Sequence, residues 1–140
     1  MTFSSRELVE RLESARRSEK RMTLFYRALA AEAEAAGRIE DAERLNGLHA
    51  DEQHHLSRLT ARLLELGGRP ADLHGIERIP ADLAVWEAAA REREAAEIAH
   101  YRGWIEEGIE DIETRAVVEE ILTSERHHHR DLGGKWMPAS

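Results

Sequence analysis

The sequence Glu-Ala-Ala-Glu-Ile-Ala-His-Tyr, residues 94–101, places two carboxylates and a phenol on one face of a predicted helix. Glu94, Glu97 and Tyr101 form one stripe, because residues three and four apart on a helix are neighbours. The stripe continues at alternating steps of three and four, the pattern of a helix packed against other helices. Its remaining members are Leu83, Glu87, Ala90, Trp104 and Gly108.

Carboxylates on a packed helix face require compensation. Burying one costs several kcal/mol unless it is protonated, paired or bound to a metal. No Lys or Arg lies on the same stripe as Glu94 and Glu97. We therefore start from the hypothesis that a metal ion compensates these acids.

Length and composition predict a single all-α domain. The chain has 140 residues, enough for one four-helix bundle and too few for a second core of any size. Pro and β-branched residues are scarce, whereas Ala, Glu, Leu and Arg dominate, which favours helices over strands. We assign residues 1–134 to the bundle and residues 135–140 to a short C-terminal tail.

Charge and cysteine content exclude several classes of protein. A net charge of −8 argues against non-specific nucleic-acid binding and against anionic membrane surfaces. The absence of Cys excludes disulfides, zinc ribbons and four-cysteine iron sites. Neither a signal-peptide core nor a run long enough to span a membrane is present. We expect a soluble, cytoplasmic protein.

Four helical patterns follow one another along the chain, and polar residues interrupt the inward face of each. Capping residues, glycines and one proline predict where the helices begin and end. These boundaries are Ser4 or Ser5, Gly37, Gly67-Gly68, Pro80-Ala81, Gly108 and Gly133-Gly134. The polar residues on the inward faces of the first, second and fourth helices are Glu19, Glu52, His55, Glu125 and His128.

The connection between the second and third helices is unusually long. It covers roughly a dozen residues, whereas loops of about 2 to 8 residues join antiparallel neighbours in bundles. We therefore predict a ferritin-like bundle topology with a crossover between helices two and three. An ordinary hairpin would also place Glu52 and Glu94 at the same height along the bundle axis. Only the length of the loop therefore favours the crossover.

The two halves of the chain carry the same motif. A Glu lies seven residues before each of the two Tyr. In each half a Glu-x-x-His follows that Glu, 33 residues later in the first half and 31 residues later in the second. Composition alone predicts about 1.6 acid-x-x-His pairs, and four occur, so that motif is weak by itself. The chance that both Tyr follow a Glu in this way is about 2 to 3 per cent. The repeated residues are Glu19, Tyr26, Glu52, His55, Glu94, Tyr101, Glu125 and His128.

This repeat matches a known ligand rule. Dinuclear carboxylate bundles use one Glu from each of two helices and a Glu-x-x-His from each of the other two. Four carboxylates balance the charge of two divalent cations. Carboxylate and imidazole suit Fe, Mn and, less specifically, Zn, so the residues indicate a class of metal.

The residues resemble the di-iron set of the ferritin-like superfamily over nearly the whole chain. The additional acid Glu97 resembles the extra helix-three carboxylate of rubrerythrins, so the chain is most similar to their erythrin domain. The resemblance implies that Glu19 and Glu125 are terminal ligands, that Glu52 and Glu94 bridge, and that His128 holds the second iron. It also implies that Glu97 and His55 exchange at the first iron.

The resemblance further implies reduction of hydrogen peroxide in oxidative defence, with Tyr26 and Tyr101 hydrogen-bonded to ligands or bound oxygen. Electrons would come from an external donor, rubredoxin-like or another reductant, because no four-cysteine domain is present. We expect two Fe ions, with Mn or a mixed pair as alternatives, a homodimer, and no nucleic-acid or membrane partner. Gln53 stands where haem-binding bacterioferritins place Met, so we expect no haem.

Several alternatives remain open. An iron-storage or ferroxidase protein would use the same ligands to oxidise ferrous iron with oxygen or peroxide, and a structural or sensor protein would bind metal without turnover. Three further alternatives assign no metal role: acids paired with Arg at the edge of an ordinary core, a solvent-facing Glu97, and Tyr side chains that only fill the core. His54, His127 and His129 lie off the inward faces and are expected to be solvated.

Overall fold

The computed structural model describes residues 3–135, which form helices and contain no strand. The four predicted helices are confirmed. No helix in this part of the chain is long and apolar enough to cross a membrane. The elements are α1 (Ser5–Ala35), α2 (Ile39–Glu65), a 3-10 turn (Leu83–Val85), α3 (Trp86–Glu107), α4 (Ile112–Arg130) and a π-helical turn (Asp131–Lys135).

The chain divides into two compact units. The first unit, Phe3–Ala84, contains α1, α2 and the connection that follows them, and the second contains the described residues from Val85 onward. In each unit, two consecutive helices pack against each other. Each unit is therefore a helical hairpin with its own core.

Helix α1 begins with a capping box. The Ser4 hydroxyl accepts a hydrogen bond from the Glu7 backbone N–H at 3.1 Å, and the Glu7 carboxylate accepts one from the Ser4 N–H at 3.3 Å. Ser4, rather than Ser5, is the N-cap. All eight residues of the inward face are buried, namely Leu8, Leu12, Ala15, Glu19, Met22, Tyr26, Leu29 and Ala33.

The turn after α2 requires glycine at two successive positions. Gly67 adopts φ +82°, a left-handed conformation that L side chains rarely adopt. A Cβ on Gly68 would lie 2.8 Å from Leu63 Cδ2 and 2.9 Å from Val9 Cγ1, too close for real atoms. The backbone therefore passes tightly against the end of the α1–α2 core before the connection starts.

The connection, residues 66–82, runs along α1. The Ala71 N–H donates to Glu13 Oε1 at 2.6 Å, and the Ala71 carbonyl accepts from Arg16 at 3.3 Å. Further on, residues 72–76 and Arg78 line one cavity together with Lys20 and Leu24. The segment thus advances from the first half of α1 toward its C-terminal half, as a crossover requires, and it is longer than the predicted dozen residues.

The predicted start of the third helix at Ala81 is wrong. Residues Leu83–Val85 form a 3-10 turn, in which Asp82 Oδ1 accepts from the Ala84 N–H at 3.0 Å, and the α-helix begins only at Trp86. A 3-10 turn has about 3.0 residues per turn instead of about 3.6, so it changes the phase of the following helix. Consequently Trp86 is buried and Glu87, predicted to face inward, is exposed.

Helix α4 buries Glu125 and His128, the two polar residues predicted for its inward face. Thr114, which donates from its hydroxyl to the Asp111 carboxylate, is the first buried residue of the helix. The glycine pair at which we predicted the end of the helix lies inside the π-helical turn Asp131–Lys135. Most of the predicted tail, residues 136–140, lies outside the described residues. The remaining buried inward residues are Val118, Ile121, Glu125, His128 and Leu132.

Candidate metal centre

The first unit contains a buried cluster of two carboxylates and one imidazole, which we call the first triad (Glu19, Glu52 and His55). Glu19 comes from α1, and Glu52 and His55 come from one face of α2. Both carboxylates are completely buried and His55 is 2% exposed. His55 Nδ1 lies 3.6 Å from Glu19 Oε2 and 3.8 Å from Glu52 Oε2.

The second unit contains the same arrangement, the second triad (Glu94, Glu125 and His128). Glu94 comes from α3, and Glu125 and His128 come from one face of α4. Both carboxylates are again completely buried and His128 is 4% exposed. His128 Nδ1 lies 3.5 Å from Glu94 Oε1 and 3.7 Å from Glu125 Oε1. The sequence repeat is therefore also a structural repeat, with corresponding distances that agree closely.

The local sequence explains how each triad forms. An acid and a His three residues apart on a helix project from the same face, and the hairpin brings the acid of the preceding helix against them. Apolar residues occupy the neighbouring turns of each inward face, among them Met22, Leu59 and Ile121. The helices therefore converge on the triads as part of their packing.

The chemistry of each triad suits a cation. The ligand atoms within each triad lie no more than 4.8 Å apart, and they are carboxylate oxygens and an imidazole nitrogen. Two carboxylates accompany one imidazole, so even a protonated His leaves an excess negative charge in a buried place. A divalent cation removes that excess, and this donor set suits Fe, Mn or Zn. Each cluster can therefore bind a metal ion.

Both predicted site tyrosines are fully buried. Tyr26 and Tyr101 are 0% exposed. Each lies about two helical turns after the Glu of its own helix, Glu19 in α1 and Glu94 in α3. Tyr26 packs against Phe25, and Tyr101 meets His100 edge-on, with ring centroids 5.4 Å and 5.5 Å apart. Their positions correspond to each other in the two units, like those of the triads.

Glu97 occupies a different position from the other predicted ligands. It is half-buried, and its Oε2 atom is closed to solvent. Among the described residues, it does not join the side chains whose ligand atoms lie within 4.8 Å of one another. The corresponding residue of the first unit is Met22. At this position one hairpin therefore carries a thioether and the other a carboxylate.

Three His expected to lie off the inward faces do so. His54 and His127 are exposed and His129 is half-buried. His127 Nε2 lies 3.3 Å from Asp131 Oδ2, one helical turn away. These three imidazoles are more exposed to solvent than the buried side chains of the triads.

His49 lies on α2 three residues before Glu52 and is half-buried. Burial lowers the pKa of His49 below its ordinary value of 6.5, and the nearby cations Arg27 and Lys20 lower it further. Its Nε2 atom is closed to solvent. Its i, i+3 spacing from Glu52 places both residues toward the same face of α2.

Comparisons with known proteins support the fold. No protein-family model matches the chain, and no curated protein matches its sequence. Among solved structures, the chain is similar to a dodecameric thioferritin, the bacterioferritin-related protein of Bacteroides fragilis, with a TM-score of 0.81. The match covers 94% of this chain and 85% of that one, at 22% sequence identity. The chain therefore has a ferritin-like four-helix bundle fold.

Proposed function

We propose that the two triads together bind two iron ions and that the protein is a di-iron oxidoreductase. The observation that carries this proposal is the recurrence of one buried Glu, Glu, His cluster in each hairpin. Either triad alone offers three ligand residues, whereas the dinuclear ligand rule uses six residues from four helices. The four carboxylates balance two divalent cations, so the complete set is neutral when both His are neutral.

The finer proposal is reduction of hydrogen peroxide to water by a rubrerythrin-like chemistry. Bound iron would supply the two electrons that, with two protons from solvent, convert hydrogen peroxide to two water molecules, and an external donor would restore those electrons. The chain's own residues would hold the cations in an apolar interior, and Tyr26 and Tyr101 would supply buried hydroxyl groups that can donate hydrogen bonds to peroxide. Glu97 supports this proposal because it is a further, half-buried carboxylate one turn from Glu94 on α3.

A second candidate is iron oxidation and storage, in which ferrous iron is the substrate. The similarity to a protein described as a dodecameric thioferritin favours it. This candidate would use the same six triad residues, and it would be accompanied by an assembly larger than the homodimer expected from rubrerythrin resemblance. Both candidates use the same metal centre. Hydrogen peroxide is the substrate in the first, and ferrous iron is the substrate in the second.

The remaining features of the proposal follow the sequence. We propose a cytoplasmic protein without nucleic-acid or membrane partners, in keeping with its net charge of −8. We propose no haem, because Gln53 offers no thioether ligand. Manganese or a mixed pair would satisfy the same donors. A protein that binds metal as a sensor would share the site and lack turnover.

Anaerobic loading followed by rapid mixing separates these candidates. We expect two ferrous ions per chain, fast oxidation by hydrogen peroxide, slow oxidation by oxygen, and repeated turnover when a reductant is supplied. Turnover of excess ferrous iron by a cage-sized assembly would support storage instead. Metal binding without turnover would support the sensor.

Two variants test the assignment of residues. Glu94→Gln should abolish the second equivalent of iron, whereas Glu92→Gln, an exposed neighbour on the same helix, should bind two. Glu97→Ala should retain two ions and change the rate with peroxide. An unchanged rate in Glu97→Ala would remove the reason to prefer peroxide reduction over iron oxidation.

A further inference from the structure

The first unit contains a cavity of about 500 Å³ between α1 and the connection that follows α2. Lys20 and Leu24 of α1 form one wall, and residues 72–76 with Arg78 form the other. Small-molecule sites usually have volumes of about 300 to 1,000 Å³. The cavity is therefore large enough for a compact organic ligand, and the proposed metal centre does not use it.

The wall formed by the connection has a defined backbone conformation. Asp72 Oδ1 accepts from the His74 N–H at 2.8 Å, and the Ile76 N–H donates to the Leu73 carbonyl at 3.3 Å. Gly75 lies between them at φ +80°, which closes the turn without strain. The wall is therefore formed by two successive turns, and Asp72 is used to stabilise them.

The side chains that line the cavity combine two cations and one carboxylate, that of Asp72, with apolar surface. Lys20 and Arg78 are its fixed cations, and among residues 3–135 neither forms an ion pair with a carboxylate. The half-buried Leu24, Leu73 and Ile76 supply the apolar part. Two cations without acidic partners are the groups that bind a phosphate or carboxylate, Arg as a fork and Lys as a point charge.

We propose that this cavity binds a small organic anion that carries a phosphate or carboxylate on an apolar ring or chain. Lys20 and Arg78 contact the anionic group, and Leu24, Leu73 and Ile76 contact the apolar part. The proposal is independent of the metal centre, because it concerns only the first unit and residues outside the triads. Failure to bind an anion would leave the proposed di-iron function unaffected.

Three probes separate the contributions to binding. Flavin mononucleotide carries both a phosphate and an apolar ring, riboflavin carries the ring alone, and inorganic phosphate carries the charge alone. Calorimetric titration of the metal-free protein should give saturable binding of flavin mononucleotide, with weaker binding of the other two. Binding of flavin mononucleotide should also weaken as salt is added, because the contacts are electrostatic.

Variants assign the binding to this cavity. Lys20→Ala and Arg78→Ala should each weaken flavin mononucleotide binding about 5- to 10-fold, because charge-assisted contacts at a partly exposed site are lost. Riboflavin binding should not change in either variant. Leu24→Ala should weaken both flavins. The control Arg93→Ala removes an exposed cation that does not line the cavity and should change neither.

Two results would overturn the proposal. One is the absence of saturable flavin mononucleotide binding up to about 1 mM, the concentration that corresponds to a binding free energy of about −4 kcal/mol. The other is equal affinity for flavin mononucleotide in the wild type and the Lys20→Ala/Arg78→Ala double variant. Helix content by circular dichroism verifies that each variant is folded.

Discussion

Replacing one carboxylate of the first triad should stabilise the metal-free protein and destabilise the metal-loaded protein. Glu52 is the best position for this change, because its oxygen lies 3.8 Å from His55 Nδ1, farther than the oxygen of Glu19 at 3.6 Å. Glu52→Gln conserves shape and removes one buried charge. What remains is one carboxylate and one imidazole, which can form a neutral ion pair.

The magnitude follows from burial. Glu52 is 0% exposed, and keeping a charged carboxylate in such a buried place costs several kcal/mol of desolvation, of which nearby groups offset a part. The Gln amide retains a desolvation cost of about 1–3 kcal/mol. We therefore expect a net gain of about 1–2 kcal/mol in the free energy of unfolding of the metal-free variant.

Metal reverses the order of stability. An ion present at about 100 times its dissociation constant stabilises the folded state by about 2.7 kcal/mol, so two ions give about 5 kcal/mol. Glu52→Gln should lose most of this increment because it removes a ligand. The wild type should consequently be the more stable protein with metal and the less stable one without it.

Urea unfolding followed by circular dichroism measures both states, with a chelator in one series and Mn²⁺ in the other. Glu92→Gln, an exposed substitution of the same chemistry on α3, should change stability by less than about 0.5 kcal/mol in either series. The reasoning is refuted if metal-free Glu52→Gln is less stable than the wild type and Mn²⁺ stabilises both equally. That outcome would make Glu52 an ordinary structural residue.

Three further expectations concern residues outside the triads. The folded-state pKa of His49 lies below 6.5, so the imidazole takes up its proton at a higher pH in the unfolded chain than in the folded protein. The free energy of unfolding should therefore fall as the pH decreases through and below 6.5. His49→Gln should reduce this pH dependence in urea titrations. Ser4→Ala should cost about 1 kcal/mol in the same assay by removing the α1 cap. Gly47→Ala should stabilise α2 by about 0.5–1 kcal/mol, since a Cβ there meets nothing within 4 Å.

The sequence was sufficient to predict the inward faces of helices whose buried residues recur at regular steps of three and four. The inward face of α1 could be read from steps of three and four, because an uninterrupted helix preserves its phase over its whole length. Glu19 appeared on that face for the same reason. The spacing of Glu52 and His55 likewise identified two side chains of one α2 turn that lie together in the structure.

Features that depend on contacts distant in sequence could not be read in this way. Arg16 is buried because its guanidinium donates to Thr60 and to the Ala71 carbonyl, residues 44 and 55 positions away. The start of α3 was misplaced because the 3-10 turn before Trp86 has only three residues, too few for the hydrophobic spacing to distinguish it from an α-helix. The half-buried position of Glu97 also differs from that of Glu94, although both follow the same stripe.

Mössbauer spectroscopy of protein loaded anaerobically with ⁵⁷Fe and then oxidised tests most directly whether the two triads form one dinuclear centre. Metal ions in such centres lie about 3.5–4 Å apart, close enough for their spins to couple through bridging ligands. We expect two irons per chain with one antiferromagnetically coupled ferric spectrum. Two magnetically independent ferric ions, or a single iron per chain, would contradict a shared centre.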